Sequence, residues 1–315
     1  MIELADIKAA QARIAASVLR TPLVRLHVEG APATIYLKLE NLQPINSFKI
    51  RGATNAVMLA SPADRAKGLV TASAGNMAQG IAWVARELGI PATIVVPDQA
   101  PEAKLSAIER LGGQVLKVPY DDWWNIIVTS RVDGVEGLFV HPAQDRAVMA
   151  GNGTIGLEIL DDLPDPDAVV IPYGGGGLTG GIASAIKALR PQTRIITAEP
   201  ETAAGMAAAF AAGQPADADY RPSFVDGAGG RRVLDSVWPL VQPLVDDALA
   251  IPVAEVAAAV RVLAERARVI AEGAGALAVA AALSGRAGTG TVVCVVSGGN
   301  INLSKLAEIL GGADG

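Results

Sequence analysis

The sequence predicts an α/β protein whose parallel sheets are wrapped by helices. Short runs rich in β-branched residues alternate with longer segments of helical periodicity, which is the pattern of successive β-α-β units. The run from Thr291 to Val296 is apolar throughout, which is typical of a strand covered on both faces. At 315 residues, of which 51% are hydrophobic and 18% charged, the chain can bury a large core and is long enough for two lobes.

The same alternation places the individual elements. Apolar and β-branched runs predict strands at residues 34–39, 69–72, 92–96, 114–118, 168–171, 194–198 and 291–296. Helical periodicity predicts helices at residues 4–18, 48–59, 76–88, 101–111, 144–160, 178–189 and 254–268. Ser47 is a suitable N-cap for the second of these helices, and Ser61 followed by Pro62 predicts a further short helix. The alanine-rich segment 203–218 predicts a helix that runs into an exposed loop.

Composition and charge argue against several classes of protein. The formal net charge of −6, without a lysine-arginine stripe, argues against a nucleic-acid partner. No apolar segment is long enough to span a membrane, and the start at Met1 lacks the basic and apolar regions of a signal peptide. The single cysteine, Cys294, cannot form an internal disulfide, which fits a reducing cytosol. We therefore expect a cytoplasmic protein with no membrane or nucleic-acid partner.

Lys49 is the first candidate for chemistry. It falls in the first turn of the helix predicted to begin at Phe48. The positive end of the helix dipole and the nearby Arg51 should disfavour an ammonium group there and favour the free amine. A neutral amine is what imine formation and proton abstraction both require. Taken alone, Lys49 resembles an ordinary surface lysine, so its interpretation depends on motifs further along the chain.

A glycine run follows the apolar strand at residues 168–171 and precedes a predicted helix. Glycines there let backbone N–H groups approach a phosphate closely, while the helix N-terminus contributes its partial positive charge. Dinucleotide-binding turns use similar glycines, but this run lacks a clean GxGxxG spacing and no Walker lysine follows it. The segment therefore predicts a phosphate site, and its residues are Gly174, Gly175, Gly176, Gly177 and Leu178.

Two more turns follow predicted strands. Backbone N–H groups of the first suit a substrate carboxylate, although it also reads as an ordinary capped turn; its residues are Ser73, Ala74, Gly75, Asn76 and Met77. The Asn76 amide is suited to a phenolic oxygen. The second turn begins at Ser297, whose hydroxyl can point at a ring nitrogen. Lys49, a phosphate loop and a small hydroxyl together fit pyridoxal 5'-phosphate, whose aldehyde, phosphate and ring nitrogen each need a partner.

These segments, in this order, resemble the fold-type II pyridoxal phosphate enzymes, and specifically the threonine/serine dehydratase group. The resemblance implies a two-lobed, tryptophan synthase β-like fold. Residues 1–60 and 141–315 then form a large cofactor-binding domain, and residues 61–140 a small mobile domain. The motifs that carry the resemblance are Arg20 to Leu23, Lys38 to Glu40, Ser47 to Ala53, Ser73 to Gly80, Gly151 to Glu158, Gly174 to Gly181 and Ser297 to Asn300.

The resemblance also implies a role for each site residue. Lys49 holds the cofactor as an imine and acts as a base, and Phe48 packs near the cofactor ring. Asn76 meets the ring oxygen, and Ser297 meets the ring nitrogen. The glycine run with Leu178 binds the phosphate. A homodimer is expected on the same grounds.

Departures from the family pattern bear on specificity. Ala74 lies where racemases of this group carry a second catalytic serine, so efficient racemisation is not expected. Met77 replaces a histidine and Ala143 replaces an aromatic residue, which predicts a larger and more apolar pocket. A 3-hydroxy amino acid bulkier than threonine therefore stays open as a substrate.

No metal site is predicted. Glu199 matches one ligand of the family's divalent-metal site, but Gly205 lies where another acidic ligand is expected. The two histidines, His27 and His141, are too scattered for a metal cluster, and neither is assigned a catalytic role. Glu272 matches a segment near the family's active site, and it equally suits a charge at a helix start.

A dehydrating ammonia-lyase, which is a carbon-oxygen lyase, is the function that the resemblance implies. Such an enzyme converts a small 3-hydroxy L-amino acid of the threonine or serine type to a 2-oxo acid and ammonia by α,β-elimination. Bulkier substrates such as 3-phenylserine or 3-hydroxyaspartate remain alternatives. So do a β-replacement synthase with the same cofactor and, from another class, a nucleotide-binding or regulatory module without a covalent cofactor.

Overall fold

The computed structural model describes residues 1–312 and confirms the predicted alternation of strands and helices. The strands are β1 (Leu23–Leu26), β2 (Thr34–Leu39), β3 (Leu69–Ala72), β4 (Ala92–Pro97), β5 (Gln114–Val118), β6 (Leu138–Phe139), β7 (Ala168–Pro172), β8 (Arg194–Pro200), β9 (Asp247–Ile251) and β10 (Thr291–Val296). The helices are α1 (Leu4–Ile14), α2 (Lys49–Leu59), α3 (Pro62–Ala66), α4 (Asn76–Leu88), α5 (Glu102–Arg110), α6 (Tyr120–Thr129), α7 (Arg146–Asp162), α8 (Gly177–Leu189), α9 (Gly205–Ala212), α10 (Trp238–Val241), α11 (Val253–Val262), α12 (Gly273–Leu283) and α13 (Leu303–Leu310).

The strands form two sheets. The larger sheet has the order β1-β2-β10-β7-β8-β9, and the smaller has the order β5-β4-β3-β6. The strand pairs are parallel, as predicted, apart from the antiparallel pairing of β1 with β2 at one edge of the larger sheet. β1 has only four residues and is half-exposed, so the alternation of apolar and polar residues within it is too short to predict a strand.

Helices α7 and α8 pack closely because glycines face each other across their contact. A β-carbon on Gly181 of α8 would collide with the Met149 carbonyl oxygen and lie 2.6 Å from the Gly153 amide nitrogen of α7. Only glycine lets the two backbones approach this far. The contact fixes the first turn of α8, which begins at the glycine run.

A buried cluster of four charged side chains fixes the start of α2. The Arg51 guanidinium donates to Glu40 Oε2 at 2.8 Å and to Glu158 Oε1 at 2.6 Å. Lys38 Nζ donates to Glu158 Oε2 at 2.5 Å. The two positive charges of this cluster balance its two negative charges. Removal of one partner would leave a buried charge unpaired. The cluster therefore anchors the turn of α2 that carries Lys49.

Some boundaries differ from the predictions. Ser47 is not the N-cap of α2; it forms an isolated bridge with Gly298, and its buried hydroxyl has no hydrogen-bond partner among residues 1–312. Tertiary pairing has overridden the local capping preference there. The Ser61 prediction is confirmed, because the Ser61 hydroxyl accepts a hydrogen bond from the Asp64 amide at 3.1 Å. The helix predicted to end at residue 268 leaves α-geometry after Val262 and ends in a π-helical turn.

Helix α1 ends four residues before its predicted end at 18, and the alanine-rich segment is helical only over α9. Among residues 1–312, none of the helices combines the length and the apolar character that crossing a lipid bilayer needs.

Candidate active site

The predicted site residues meet at the carboxyl edge of the larger sheet. β7 and β10 are adjacent and parallel, so the glycine run after β7 and Ser297 after β10 emerge side by side. The Phe48 amide donates to the Ser297 carbonyl oxygen at 3.0 Å, which brings the start of α2 to the same edge. Open α/β sheets bind ligands at such edges. Lys49, the glycine run and Ser297 therefore surround one site.

Lys49 is the first residue of α2, and its side chain is half-buried. Its Nζ donates to the Pro142 carbonyl oxygen at 3.1 Å and lies 5.1 Å from the centroid of the Phe48 ring. Burial lowers the pKa of Lys49 to about 8, against an opposing effect of the Glu272 carboxylate. A lowered pKa keeps a useful fraction of the amine neutral near physiological pH, as a nucleophile or base requires.

The cause of this shift differs from the sequence-based expectation. We expected the Arg51 charge to help disfavour the ammonium form of Lys49. Instead Arg51 is paired with Glu40 and Glu158, so its charge is compensated within the buried cluster. The pKa of Lys49 falls mainly because its amine is removed from water.

The glycine run forms a backbone cradle at the N-terminus of the 13-residue helix α8. Gly176 has a φ of +87°, and a β-carbon on it would lie 2.5 Å from Val237 Cγ1. A β-carbon on Gly175 would lie 2.5 Å from the Ala143 β-carbon. Within residues 1–312, the N–H groups of Gly174 to Gly176 donate no hydrogen bond to the protein. Free N–H groups at a helix N-terminus suit a phosphate.

Leu178 contributes to this cradle through its backbone. Its side chain is buried in the core on one side of the larger sheet. The amide of Leu178, in the first turn of α8, has no partner within the helix. Leu178 can therefore meet a phosphate through its N–H group.

Asn76, the first residue of α4, belongs to a polar network beside Ser297. Its Nδ2 donates to Glu272 Oε1 at 2.7 Å, and its Oδ1 accepts from Asn300 Nδ2 at 2.7 Å. Burial raises the pKa of Glu272 to about 7, whereas the Asn76 hydrogen bond acts in the opposite direction. The Glu272 carboxylate also lies against Gly298, where a β-carbon would collide with it. Ser297 itself is buried at the end of β10.

The turn of residues 73–77 has an open side. Ser73 Oγ accepts from the Gly75 amide at 3.2 Å, and no heavy atom lies within 4 Å of the position that a β-carbon on Gly75 would take. The Met77 side chain is only 1% exposed and packs in the core of the smaller sheet, with Ala74 beside that core. Met77 and Ala74 can therefore contribute backbone groups to a ligand, but the Met77 side chain does not line a pocket.

Ala143 lies against the glycine run. It is buried, and its β-carbon and carbonyl oxygen lie against Gly175 and Gly177. The expectation of a larger, more apolar pocket is wrong for Met77, because that side chain fills the core of the smaller sheet. A larger, more apolar pocket at Ala143 stays a prediction.

The residues present fit pyridoxal 5'-phosphate. The cradle offers free N–H groups for its phosphate, Lys49 offers a partly neutral amine for its aldehyde, and Ser297 offers a neutral hydroxyl for its ring nitrogen. Asn76 offers an amide for the ring oxygen, and Phe48 lies beside the Lys49 amine.

Sequence reasoning missed two backbone segments of the site. Pro142 contributes its carbonyl oxygen to Lys49. The segment at Ala228 and Gly229 flanks the cradle, since the Gly229 amide donates to the Tyr173 carbonyl oxygen at 2.6 Å. Both segments act through main-chain atoms. Every residue type has a carbonyl oxygen, so the sequence could not predict the contribution of Pro142. The consecutive glycines near residue 229 could have marked the second segment.

Glu199 lies near the end of β8 and caps a helix. Its Oε2 accepts from the Met206 amide at 2.8 Å and the Ala207 amide at 3.1 Å. Its Oε1 is buried and finds no hydrogen-bond partner in the described part of the chain. A β-carbon on Gly205 would lie 2.8 Å from the Gly230 carbonyl oxygen, which leaves no room for an acidic side chain. Within residues 1–312, no group of three His, Cys, Asp or Glu side chains could hold a metal ion.

Burial raises the pKa of Glu199 from 4.5 to about 8, which yields a pH-dependent stability. Because the folded-state pKa is raised, this stabilisation is complete below about pH 4.5 and is lost as the pH rises through about 8. The shift corresponds to at most about 5 kcal/mol. Glu199→Gln, which cannot ionise, should therefore gain stability relative to the wild type between pH 5 and pH 9 in urea unfolding.

The exposed neighbour Glu201 offers a matched control for this measurement. Glu201→Gln removes an exposed carboxylate and keeps Glu199, so the loss of stability that Glu199 causes with rising pH should remain. A Glu199→Gln curve parallel to that of the wild type would show that Glu199 is ionised throughout this range.

Comparisons with known proteins agree with this geometry. The family described as "Pyridoxal-phosphate dependent enzyme" matches residues 14–298. The L-threonine ammonia-lyase of Thermotoga maritima is 42% identical over 316 residues, which cover 98% of this chain and 78% of that protein. The L-threonine dehydratase catabolic TdcB of Staphylococcus aureus is 39% identical over 319 residues, which cover 98% of this chain and 92% of that protein.

Solved structures confirm the fold. Maize serine racemase matches with a TM-score of 0.87 and 33% identity, covering 97% of this chain and 96% of that chain. The T.th. threonine deaminase matches with the same TM-score and identity, covering 95% of this chain and 99% of that chain. A family match over residues 14–298, together with near-full-length relatives at 42% and 39% identity, shows that the chain belongs to the pyridoxal-phosphate dependent enzymes.

Proposed function

We propose that the protein is a dehydratase that converts a 3-hydroxy L-amino acid of the threonine or serine type to a 2-oxo acid and ammonia. One observation carries the proposal. The half-buried Lys49 amine, whose pKa is lowered, donates to the Pro142 carbonyl oxygen, and the next residue, Ala143, packs against the phosphate cradle. Relatives named for threonine ammonia-lyase and threonine dehydratase activity, similar over 98% of the chain, support the choice of reaction.

Each group of the site has a task in this reaction. When bound, pyridoxal 5'-phosphate supplies an electron sink for the charge that develops at the substrate Cα. The neutral Lys49 amine removes the Cα proton, and burial favours that neutral form. The turn of residues 73–77, at the N-terminus of α4, binds the substrate carboxylate through its N–H groups. Ser297 presents a hydroxyl in place of a carboxylate, so no anion there holds an added proton on the ring nitrogen.

Substrate size follows from the packing around the site. The Met77 side chain is buried in the core of the smaller sheet, so it opens no space for a bulky 3-substituent. Ala74 offers no hydroxyl for a second proton transfer, which favours elimination over racemisation. The packing of Met77 therefore favours L-threonine and L-serine over 3-phenylserine, whereas Ala74 bears on the type of reaction.

A 2-oxo acid assay across four substrates tests the proposal. L-Threonine and L-serine should yield 2-oxo acid and ammonia in equal amounts, whereas 3-hydroxyaspartate and 3-phenylserine should react at least about tenfold more slowly. Parallel reactions with and without magnesium report on activation by a divalent cation. Incorporation of an added thiol into product, without 2-oxo acid, would establish β-replacement instead. A colourless protein that gains no mass with borohydride would indicate a module without a covalent cofactor.

We also propose a two-lobed organisation, with residues 1–60 and 141–315 in a large lobe and residues 61–140 in a small mobile lobe. The smaller sheet, whose strands lie between Leu69 and Phe139, supports this division. An exposed ion pair from Lys104 to Asp226, at 2.6 Å, then spans the two lobes. Residues 313–315 of the large lobe lie outside the described residues.

A homodimer and a cytoplasmic location complete the proposal. The family resemblance supports the dimer, and sedimentation at micromolar concentration would test it. The buried single cysteine, Cys294, fits a reducing compartment.

A further inference from the structure

His141 is buried between β6 and α7, and both of its ring nitrogens are used. Nε2 lies 3.0 Å from the Ile127 carbonyl oxygen of α6. A carbonyl oxygen can only accept, so Nε2 carries the hydrogen. Nδ1 accepts from the amides of Ala143 and Gln144, both at 3.0 Å. These partners require the neutral imidazole in its Nε2–H tautomer.

The turn that His141 closes touches both halves of the cofactor site. Its Pro142 carbonyl oxygen accepts from Lys49 Nζ at 3.1 Å. Its Ala143 packs against the cradle, where a β-carbon on Gly177 would lie 2.9 Å from the Ala143 carbonyl oxygen. One turn therefore sets the position of the Lys49 amine relative to the phosphate cradle.

We propose that His141 is a positioning residue, whose neutral imidazole holds the turn of residues 141–144 and through it the Lys49 amine and the phosphate cradle. This inference rests on the assignment of Lys49 to the cofactor, but it does not depend on which reaction follows. His141 touches neither the cradle nor Lys49 with a hydrogen bond of its own.

The surroundings of His141 keep it neutral. Burial lowers the pKa of His141, the Ile127 carbonyl hydrogen bond raises it, the Lys49 charge lowers it and Asp145 raises it, with the net change downward. Lys49 faces it from α2, and Asp145 caps α7 through the Ala147 amide at 2.8 Å. Protonation would place a hydrogen on Nδ1, which could then no longer accept from the Ala143 and Gln144 amides. The turn would then lose both hydrogen bonds, so acid should loosen the site.

Nitrogen NMR of the holoenzyme tests the tautomer directly, because the chain has only two histidines. With ¹⁵N-labelled histidine, the ring nitrogens of His141 should report the neutral imidazole at pH 7. Nε2 should carry the hydrogen of His141, and burial should move protonation of Nδ1 to a lower pH than is ordinary for histidine. His27→Asn identifies the signals by removing one set. An Nδ1–H tautomer or a doubly protonated ring for His141 at pH 7 would overturn the proposal.

Two substitutions at one position separate positioning from bulk packing. His141→Leu removes both hydrogen-bonding functions, whereas the Oδ1 of His141→Asn can replace Nδ1 as acceptor for the two amides. His141→Leu should weaken pyridoxal 5'-phosphate binding about tenfold and shift the pH dependence of the bound cofactor's visible absorption. His141→Asn should restore most of both properties, and His27→Asn should leave both unchanged.

Failure of this proposal is distinguishable from failure of the proposed function. Wild-type affinity and spectrum in His141→Leu would reject positioning, as would equal losses in the asparagine and leucine variants. The NMR tautomer decides the case even if the leucine variant fails to fold. A shifted spectrum in a protein without dehydratase activity would uphold positioning and reject only the reaction.

Discussion

Replacement of Lys49 by alanine should abolish the visible absorption of covalently held pyridoxal 5'-phosphate and lower turnover by roughly 10³-fold or more. The reason is that one amine serves two purposes. It is the nucleophile that holds the cofactor, and it is the base within reach of the substrate. Absorption spectra and a 2-oxo acid assay measure the two losses separately.

Exposed Lys67 provides the matched control for this experiment. Lys67→Ala should retain both the spectrum and the turnover. In the wild type and in Lys67→Ala alike, borohydride should add mass only to the peptide that contains Lys49. The rate of covalent cofactor uptake should rise with pH through about 8 and then level, because the pKa of Lys49 is about 8. Retained absorption and turnover in Lys49→Ala, without added amines, would refute the assignment.

Gly176→Ala should weaken the binding of pyridoxal 5'-phosphate at least about tenfold. Gly176 has a φ of +87°, where a side chain costs roughly 1–2 kcal/mol, and tenfold in affinity corresponds to about 1.4 kcal/mol. The new β-carbon would also lie 2.5 Å from Val237 Cγ1 and 2.9 Å from the Tyr173 hydroxyl. Movement that relieves these contacts displaces the N–H groups of the cradle. A cofactor titration followed by absorption measures the effect.

Gly174→Ala is the control within the same loop. Its β-carbon would meet its nearest neighbour, the Ala228 α-carbon, at an ordinary 3.5 Å, and its φ lies outside the left-handed region. We expect a cofactor affinity within about threefold of the wild-type value, because a substitution that adds one ordinary contact usually changes the free energy little. Equal affinities for the Gly174 and Gly176 variants would show that backbone geometry at Gly176 does not limit phosphate binding.

Much of the fold could be predicted from local pattern. The bounds of β2, β3, β5 and β10, and of α4, agree with the predictions to the residue. These elements are apolar β-branched runs or a strongly amphipathic helix, for which periodicity is a clear signal. β1, β6 and β9 were not predicted, because each is short and partly exposed.

The candidate site could be predicted in its chemistry but not in its supporting contacts. Lys49 does lie in the first turn of a helix, and the glycine run does open another. The role of Met77 was misjudged, because sequence does not tell whether an apolar side chain lines a pocket or fills the core. Burial in the folded protein decides that question.

The sequence by itself determined the α/β alternation, the lysine at a helix start, the glycine cradle and the serine after the last strand. These features depend on residue type and on spacing within a few residues. Only the tertiary structure decided that the Pro142 carbonyl oxygen accepts from Lys49, and that burial lowers the pKa of Lys49. The Pro142 carbonyl oxygen is 93 residues from Lys49 along the chain and is a group that every residue carries. Contacts of this kind, and removal of a charge from water, exist only once distant segments are packed together.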